Sequence, residues 1–411
     1  MKRETFPSGQ AQLFLYHPMS IISSGILGGI LLNSCVRFPI RGDIITDIRV
    51  ERMAKAVVDY SSEMEEKDKV LIQGTTLAVP LVEAIYRESL LKGAYPEVSL
   101  LTDNLQVLFY QHAEDHQLEY VSPFMKYYVD NLDVIITVLA EYNLKQLTSI
   151  NSEKIGRRLK AQQALNATIL KRAHEGTLEW TLTLYPTHAL AQEASMSLLE
   201  YEDFVYHACF VDMPDPVAEW KKLSQSQEKI VDYLNGKSTL QIVGEDTDLS
   251  MRFTERTWIN SDGHRNFPSG EVFTGPVEDS AEGTIRFTYP GIYMGKEVED
   301  IILTFEKGSV VEAHAEKGDD LLQEMLSKDD GARRIGEVAI GTNYGITKFT
   351  KNILFDEKIG GTIHVALGRS IPDTGGVNDS AIHWDLLKDM KSEGRIYADG
   401  ELFYENGEFL I

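Results

Sequence analysis

A chain of 411 residues is long for a single hydrophobic core and suggests two or three domains. With 40 basic against 63 acidic side chains the net charge is −23, which repels phosphate backbones and anionic lipid heads and argues against nucleic-acid or polybasic membrane binding. The two cysteines, Cys35 and Cys209, form no CxxC pair, and 43% of the residues are apolar; a disulfide scaffold and a thiolate-built zinc site are excluded, leaving a soluble globular protein expected in the cytoplasm.

The stretch Ser20–Phe38 is apolar but rich in Gly and Ser, and Pro7 and Pro18 separate it from the basic Lys2 and Arg3. It is short for a spanning helix and badly placed for a secretory signal. Leu32-Asn33-Ser34-Cys35 only faintly matches a lipoprotein cleavage box. Residues 1–44 are therefore expected to be an irregular extension or a mis-assigned start.

From Asp47 to Gly236 helical and strand-like segments alternate. Arg49–Lys67, Leu77–Lys92 and Ser152–His174 have helical character, whereas Lys69–Gln73, Glu97–Leu101, Val134–Leu139 and Leu178–Leu184 are strand-like. Strands alternating with helices of this length imply crossover units and a parallel sheet, hence an α/β domain over residues 45–236. No GxGxxG or GxxxxGK[ST] opens any of these helices, so a phosphate cradle is missing and the half reads as a scaffold or substrate-limiting domain. The turn at Asn235-Gly236-Lys237 marks the boundary.

Residues 237–411 have another texture, that of a β-rich α+β catalytic domain with a mostly antiparallel sheet. Thr239–Val243, Asp248–Phe253, Thr284–Tyr289, Val298–Phe305, Gly308–Ala315, Arg334–Ile340, Gly361–Ala366 and Ala381–Leu386 are short runs, many rich in β-branched residues. Asp319–Leu326 is the one clear helix.

The chemistry lies in four segments of this half: His264–Thr274, Arg334–Gly341, Leu354–Gly368 and Asn378–Asp385. Each places a titratable side chain in an apolar run, where a charge must be paired, hydrogen-bonded or metal-bound. His383 and Asp385 are two apart and share one strand face, while Ile382 and Trp384 point the other way. Glu271 and Glu337 follow Gly270 and Gly336, where a missing Cβ admits a close backbone or ion. Glutamates, histidines and an aspartate suit Zn²⁺, Co²⁺ or Mn²⁺. Five or six such ligands are too many for one tetrahedral ion and suit two ions sharing a carboxylate. A lone Glu or His in a strand is more often a solvated residue than a ligand, and spacing alone does not separate a peptidase from another dinuclear hydrolase.

At these residues the sequence resembles the thermophilic aminopeptidase family of metallopeptidases, the type of bacterial aminopeptidases T and S. The resemblance rests on Arg265-Asn266-x-Pro-Ser-Gly-Glu271, Gly336-Glu337-Val-Ala, Leu354-Phe355-Asp356-Glu357 with His364-x-Ala-Leu-Gly, and His383-x-Asp385, and runs from Asp47 nearly to the end. It implies a two-metal exopeptidase acting on peptides, typically a cytoplasmic homodimer. The implied metal ligands are Glu271, Glu337, His364, His383 and Asp385, with Glu337 bridging and handling the proton of the water, and with Glu357 as an additional ligand. The family pattern carries a tyrosine seven residues after the histidine matching His364, where this chain has Ile371. The segment Ile371–Asn378 is also shorter than in many relatives, which reshapes the pocket rim. A metal-binding relative without turnover is therefore an alternative to the active enzyme.

Other candidates have simpler readings. Glu312, His314 and Glu316 alternate on what is expected to be a solvated sheet face, and His112 and His116 decorate a helix without forming HExxH. Asp246 and Asp248 read as strand-edge residues, and Ser269 stands in Pro-Ser-Gly-Glu rather than GxSxG.

Overall fold

The first described residue, Asp47, caps a helix by accepting from the Arg49 N–H at 2.9 Å. The computed structural model describes residues 47–293 and 295–411; the expected extension over 1–44, including Cys35, lies outside the described residues. The helix Ile48–Ala56 continues through one wider turn, Val57–Ser61. It stops short of Lys67, the end expected from the amphipathic pattern. The Ser62 hydroxyl donates back to the Val57 carbonyl at 2.9 Å and Glu63 turns to φ +42°, so the chain leaves the helix before the strand Lys69–Thr75.

Four strands, Lys69–Thr75, Tyr95–Leu101, Val134–Leu139 and Glu179–Leu184, pair in parallel with the first two exchanged in order. Helices Val79–Leu91, Leu105–His112, Pro123–Asn131 and Ser152–His174 lie on the crossovers. The longest starts at Asn151, whose side chain accepts from the Glu153 N–H, and ends in Lys171, Arg172 and His174, which suit the negative end of the helix dipole. Val134–Val138 are buried, as a central parallel strand requires. Asn266–Phe267, from the second half of the chain, adds a fifth parallel strand beside Glu179–Leu184, and the buried Arg265 forms an ion pair with Glu179.

The second half builds two antiparallel sheets, so the fold is α/β with a parallel sheet joined to a β-rich part. A nine-stranded sheet includes Thr239–Gly244, Thr247–Arg252 and the long pair Lys296–Glu306 with Ser309–Lys317. The other sheet has five strands, in the order His383–Asp389, Thr362–Gly368, Ile335–Gly341, Glu271–Thr274 and Ile259–Ser261. Leu240, Ile285, Ile301, Val365, Leu367 and Leu386 belong to one apolar core that draws on both sheets, while a separate core gathers around the parallel sheet. Asp319–Leu326 is helical as expected, and Ile353–Asp356 adds one further short turn of helix. No helix among the described residues is long and apolar enough to cross a membrane.

Candidate metal centre

Strand alternation creates the site. In the five-stranded sheet Val272, Val338, Ile340, Val365, Leu367, Trp384 and Leu386 point into the core. Their neighbours Glu271, Glu337, His364, His383 and Asp385 necessarily occupy the opposite face. Ala366 pairs with Glu337 on one side and with Asp385 on the other, so the methyl between the two acids leaves open space above the sheet. The pairing shifts by one residue between Ile335 and Glu337, and such a bulge re-aims the side chain that follows it.

The five side chains converge. His364 Nε2 lies 3.5 Å from Glu337 Oε1 and 3.8 Å from Asp385 Oδ1. His383 Nε2 lies 3.2 Å from Glu337 Oε2 and 3.3 Å from Asp385 Oδ1, and Glu271 Oε2 is 3.8 Å from His364 Nδ1. Ligand atoms of Glu337, His364 and Asp385 all fall within 4.8 Å of one another. Yet Glu271 Oε2, His383 Nε2 and Asp385 Oδ1 are buried without a hydrogen-bond partner. Buried polar atoms that approach closely and remain unpaired are what a cation's coordination shell looks like.

The rest of each imidazole is committed. His364 Nδ1 faces the Glu357 carbonyl at 3.1 Å and His383 Nδ1 faces the Arg369 carbonyl at 2.8 Å. A donated N–H at Nδ1 selects the tautomer whose Nε2 lone pair is free for a metal. Gly336 makes the second contact feasible, because a Cβ there would lie 2.4 Å from the Arg369 carbonyl oxygen. Gly270, at φ +125°, lets the chain turn past Asn343 into Glu271, and its Cβ would sit 2.6 Å from that of Asn343. The Gln227 amide then donates to the Glu271 carbonyl at 2.6 Å and to the Ser261 carbonyl at 3.0 Å. A Gly336→Ala variant is expected to displace the Arg369 carbonyl and lower kcat at least tenfold, with reduced thermal stability; wild-type kinetics and melting would contradict that role.

Charge is the dominant property of the site. Glu271, Glu337, Glu357 and Asp385 are four carboxylates facing one ammonium among the described residues, Lys358, which is 0% exposed; with all four ionised and both histidines neutral, the state a metal ion requires, their formal sum is −3. Lys358 Nζ is 3.7 Å from Glu271 and pairs directly with Glu357. Burial would lower His364, but Glu337, Glu271 and Asp385 lift it to about 10. Burial would raise Asp385, but His383, His364 and Lys358 hold it at about 2. Burial pushes Glu357 up to about 8 and Glu271 upward too, in each case outweighing Lys358. A pocket this short of positive charge fits divalent cations.

His383, Asp385 and Glu357 open onto a cavity of about 730 Å³ whose wall also includes Leu139, Glu141 and Leu190. That wall follows the carboxyl end of a parallel strand, where α/β folds commonly bind ligands. Ile371 is buried with Phe273 and Ala339 in a small apolar cluster and offers no hydroxyl there.

The thermophilic metalloprotease family model matches residues 46–409. The chain belongs to this family. This metallopeptidase is 35% identical to Aminopeptidase 2 of Geobacillus stearothermophilus over 54% of its own length and 62% of that protein's. It is 27% identical to Aminopeptidase AmpS of Bacillus subtilis over 88% of this chain and 98% of the other. Wild-type AmpT from Thermus thermophilus shares its fold, with a TM-score of 0.77 at 24% identity, covering 88% of this chain and 99% of that one.

Glu271, Glu337, His364, His383 and Asp385, singled out in the sequence, are thus brought together. Glu357 borders the same cavity, tied to Lys358. His112, His116, His314 and Asp248 stand exposed elsewhere, Asp246 lies in a turn at φ +48°, and the Ser269 hydroxyl donates to the Ser261 carbonyl at 2.9 Å. Sequence reasoning missed Lys358. Its signal was a third consecutive charge, Asp356-Glu357-Lys358, between apolar neighbours.

Proposed function

We propose that this metallopeptidase is an aminopeptidase that removes N-terminal residues from peptides, with two divalent ions (zinc, cobalt or manganese) held by Glu271, Glu337, His364, His383 and Asp385. The observation that carries the reading is the set of buried, unpartnered ligand atoms on Glu271, His383 and Asp385. Five nitrogen and oxygen ligands exceed what a single tetrahedral ion takes. Two divalent cations bring +4 against the formal −3 of the deprotonated ligand set. The aminopeptidase names of the relatives support the substrate class.

When bound, such ions polarise the scissile carbonyl and lower the pKa of a water between them. Glu337 takes the proton of the attacking water at a carboxylate oxygen and returns it to the leaving amine. Glu271 and Asp385 anchor, and His364 and His383 present Nε2, held in that tautomer by the carbonyls of Glu357 and Arg369. Lys358 offsets Glu271 and Glu357, with Glu357 available as a further ligand. Residues 45–236 wall the cavity and limit the substrate, and residues 237–411 carry the catalysis. A cytoplasmic homodimer is part of this reading, and sedimentation of the purified chain checks the dimer.

Unblocked aminoacyl arylamides test the proposal. Turnover is expected, with a loss of at least 100-fold on chelation and recovery on adding Co²⁺, Mn²⁺ or Zn²⁺; N-acetylated arylamides should resist. Cleavage that survives chelation contradicts it. Cleavage of esters or acylated amides alone points instead to another dinuclear hydrolase. Full metal loading with no turnover on any unblocked substrate matches the alternative raised by Ile371.

A further inference from the structure

The cavity beside the metal centre has a second polar feature that the hydrolytic chemistry does not use. Glu141 and Tyr201 both line it, and Glu141 Oε2 and the Tyr201 hydroxyl are each buried without a hydrogen-bond partner among the described residues. The Glu141 backbone is fixed, because the Thr187 hydroxyl donates to its carbonyl at 2.9 Å. Outside the proposed metal ligands, every other carboxylate on the cavity wall has a partner. Glu193 pairs with Lys145 at 3.3 Å, and Asp356 accepts from the Thr350 N–H at 2.7 Å and its hydroxyl at 2.9 Å. Glu357 pairs with Lys358, and the unpaired Asp385 belongs to the metal centre itself. Lys351, a cation on the same wall, already pairs with Glu297 at 2.7 Å. The cavity wall also carries the aliphatic and aromatic side chains of Leu139, Leu144, Leu190 and Phe349.

A buried carboxylate oxygen left unpaired on a partly apolar wall is costly unless a cation or donor meets it. We propose that this wall receives the side chain of the substrate's N-terminal residue, and that Glu141, with the Tyr201 hydroxyl, selects lysine or arginine there. The proposal rests on the aminopeptidase reading and names the substrate class of that site. A long side chain lays its methylenes on the leucines and brings its charged tip to the acid. The alternative guest is the α-ammonium, which must stay beside the scissile carbonyl and hence beside the metal-centre acids. Glu141 follows the parallel strand Val134–Leu139, whereas the metal-centre acids stand on the antiparallel five-stranded sheet, and burial raises its carboxyl. A lysine ammonium reaches on the order of 6 Å beyond its own Cα, so its tip and the α-ammonium can meet different acids.

The test compares lysyl, arginyl and norleucyl arylamides, norleucine matching the lysine stem without its charge. Wild-type protein is expected to accept all three. Glu141→Gln should lower the ratio of lysyl or arginyl to norleucyl kcat/KM by roughly 10- to 100-fold, mainly through KM. Tyr201→Phe should lower it severalfold. Lysinamide should raise the melting temperature of the wild type more than norleucinamide does, and Glu141→Gln should erase that difference. An unchanged ratio overturns the proposal, as does a uniform loss on all three substrates or a wild type that cleaves norleucyl but neither cationic substrate. Absence of turnover on every unblocked arylamide sinks the aminopeptidase reading instead. Melting of each variant without ligand separates a folding defect from a loss of selectivity.

Discussion

Glu337→Gln is expected to lower kcat by roughly 10³-fold while KM changes little and the chain still folds. Glutamine keeps the size and shape of the buried side chain but removes the proton acceptor and one charge. The position has no substitute nearby: Glu337 sits on the bulge between the two imidazoles, 3.5 Å from His364 and 3.2 Å from His383. The other carboxylates within reach, Asp385 and Glu271, are proposed to anchor the ions, and Glu357 pairs with Lys358. Single-turnover kinetics on an unblocked arylamide, with circular dichroism to confirm folding, measures the effect. Unchanged turnover would remove Glu337 from the proton path.

The second large effect concerns stability. Lys358→Met leaves Glu271 and Glu357 buried without their only lysine partner. Removing one side of a buried ion pair costs about 3–5 kcal/mol, because the remaining charge is desolvated and unpaired. Methionine fills nearly the same volume, so the loss reads electrostatics rather than a cavity. Urea unfolding of metal-free protein measures it, and a second change, Glu357→Gln, should recover part of the loss when placed on Lys358→Met. Added divalent cation should narrow the gap between variant and wild type, since it supplies positive charge to the same acids. A loss below about 1 kcal/mol would mean that Lys358 does not balance this site.

Much of the centre was legible because a strand has a period of two. His383 and Asp385 had to share a face, with Ile382 and Trp384 opposite, and both core neighbours are indeed buried. Gly270 and Gly336 marked close approaches, and what approaches is the Cβ of Asn343 in one case and the Arg369 carbonyl in the other. What stayed hidden depends on contacts between distant parts of the chain. Gln227, on the helix Pro216–Asn235, holds the Glu271 carbonyl from 44 residues away, and no local pattern announces it. Asn266–Phe267 joins the parallel sheet although it lies beyond the turn at Gly236. Glu141 follows a strand like any loop residue, and only the cavity makes its unpaired carboxylate conspicuous. The first helix ended early for a local reason, a serine hydroxyl turned back on the Val57 carbonyl, which amphipathic spacing does not encode.

Anomalous diffraction from crystals grown with Zn²⁺ or Mn²⁺ addresses the central idea most directly. Two peaks about 3.5–4 Å apart, enclosed by Glu271, Glu337, His364, His383 and Asp385, are the expected result. Peaks elsewhere, or none at this sheet face in fully loaded protein, would contradict it.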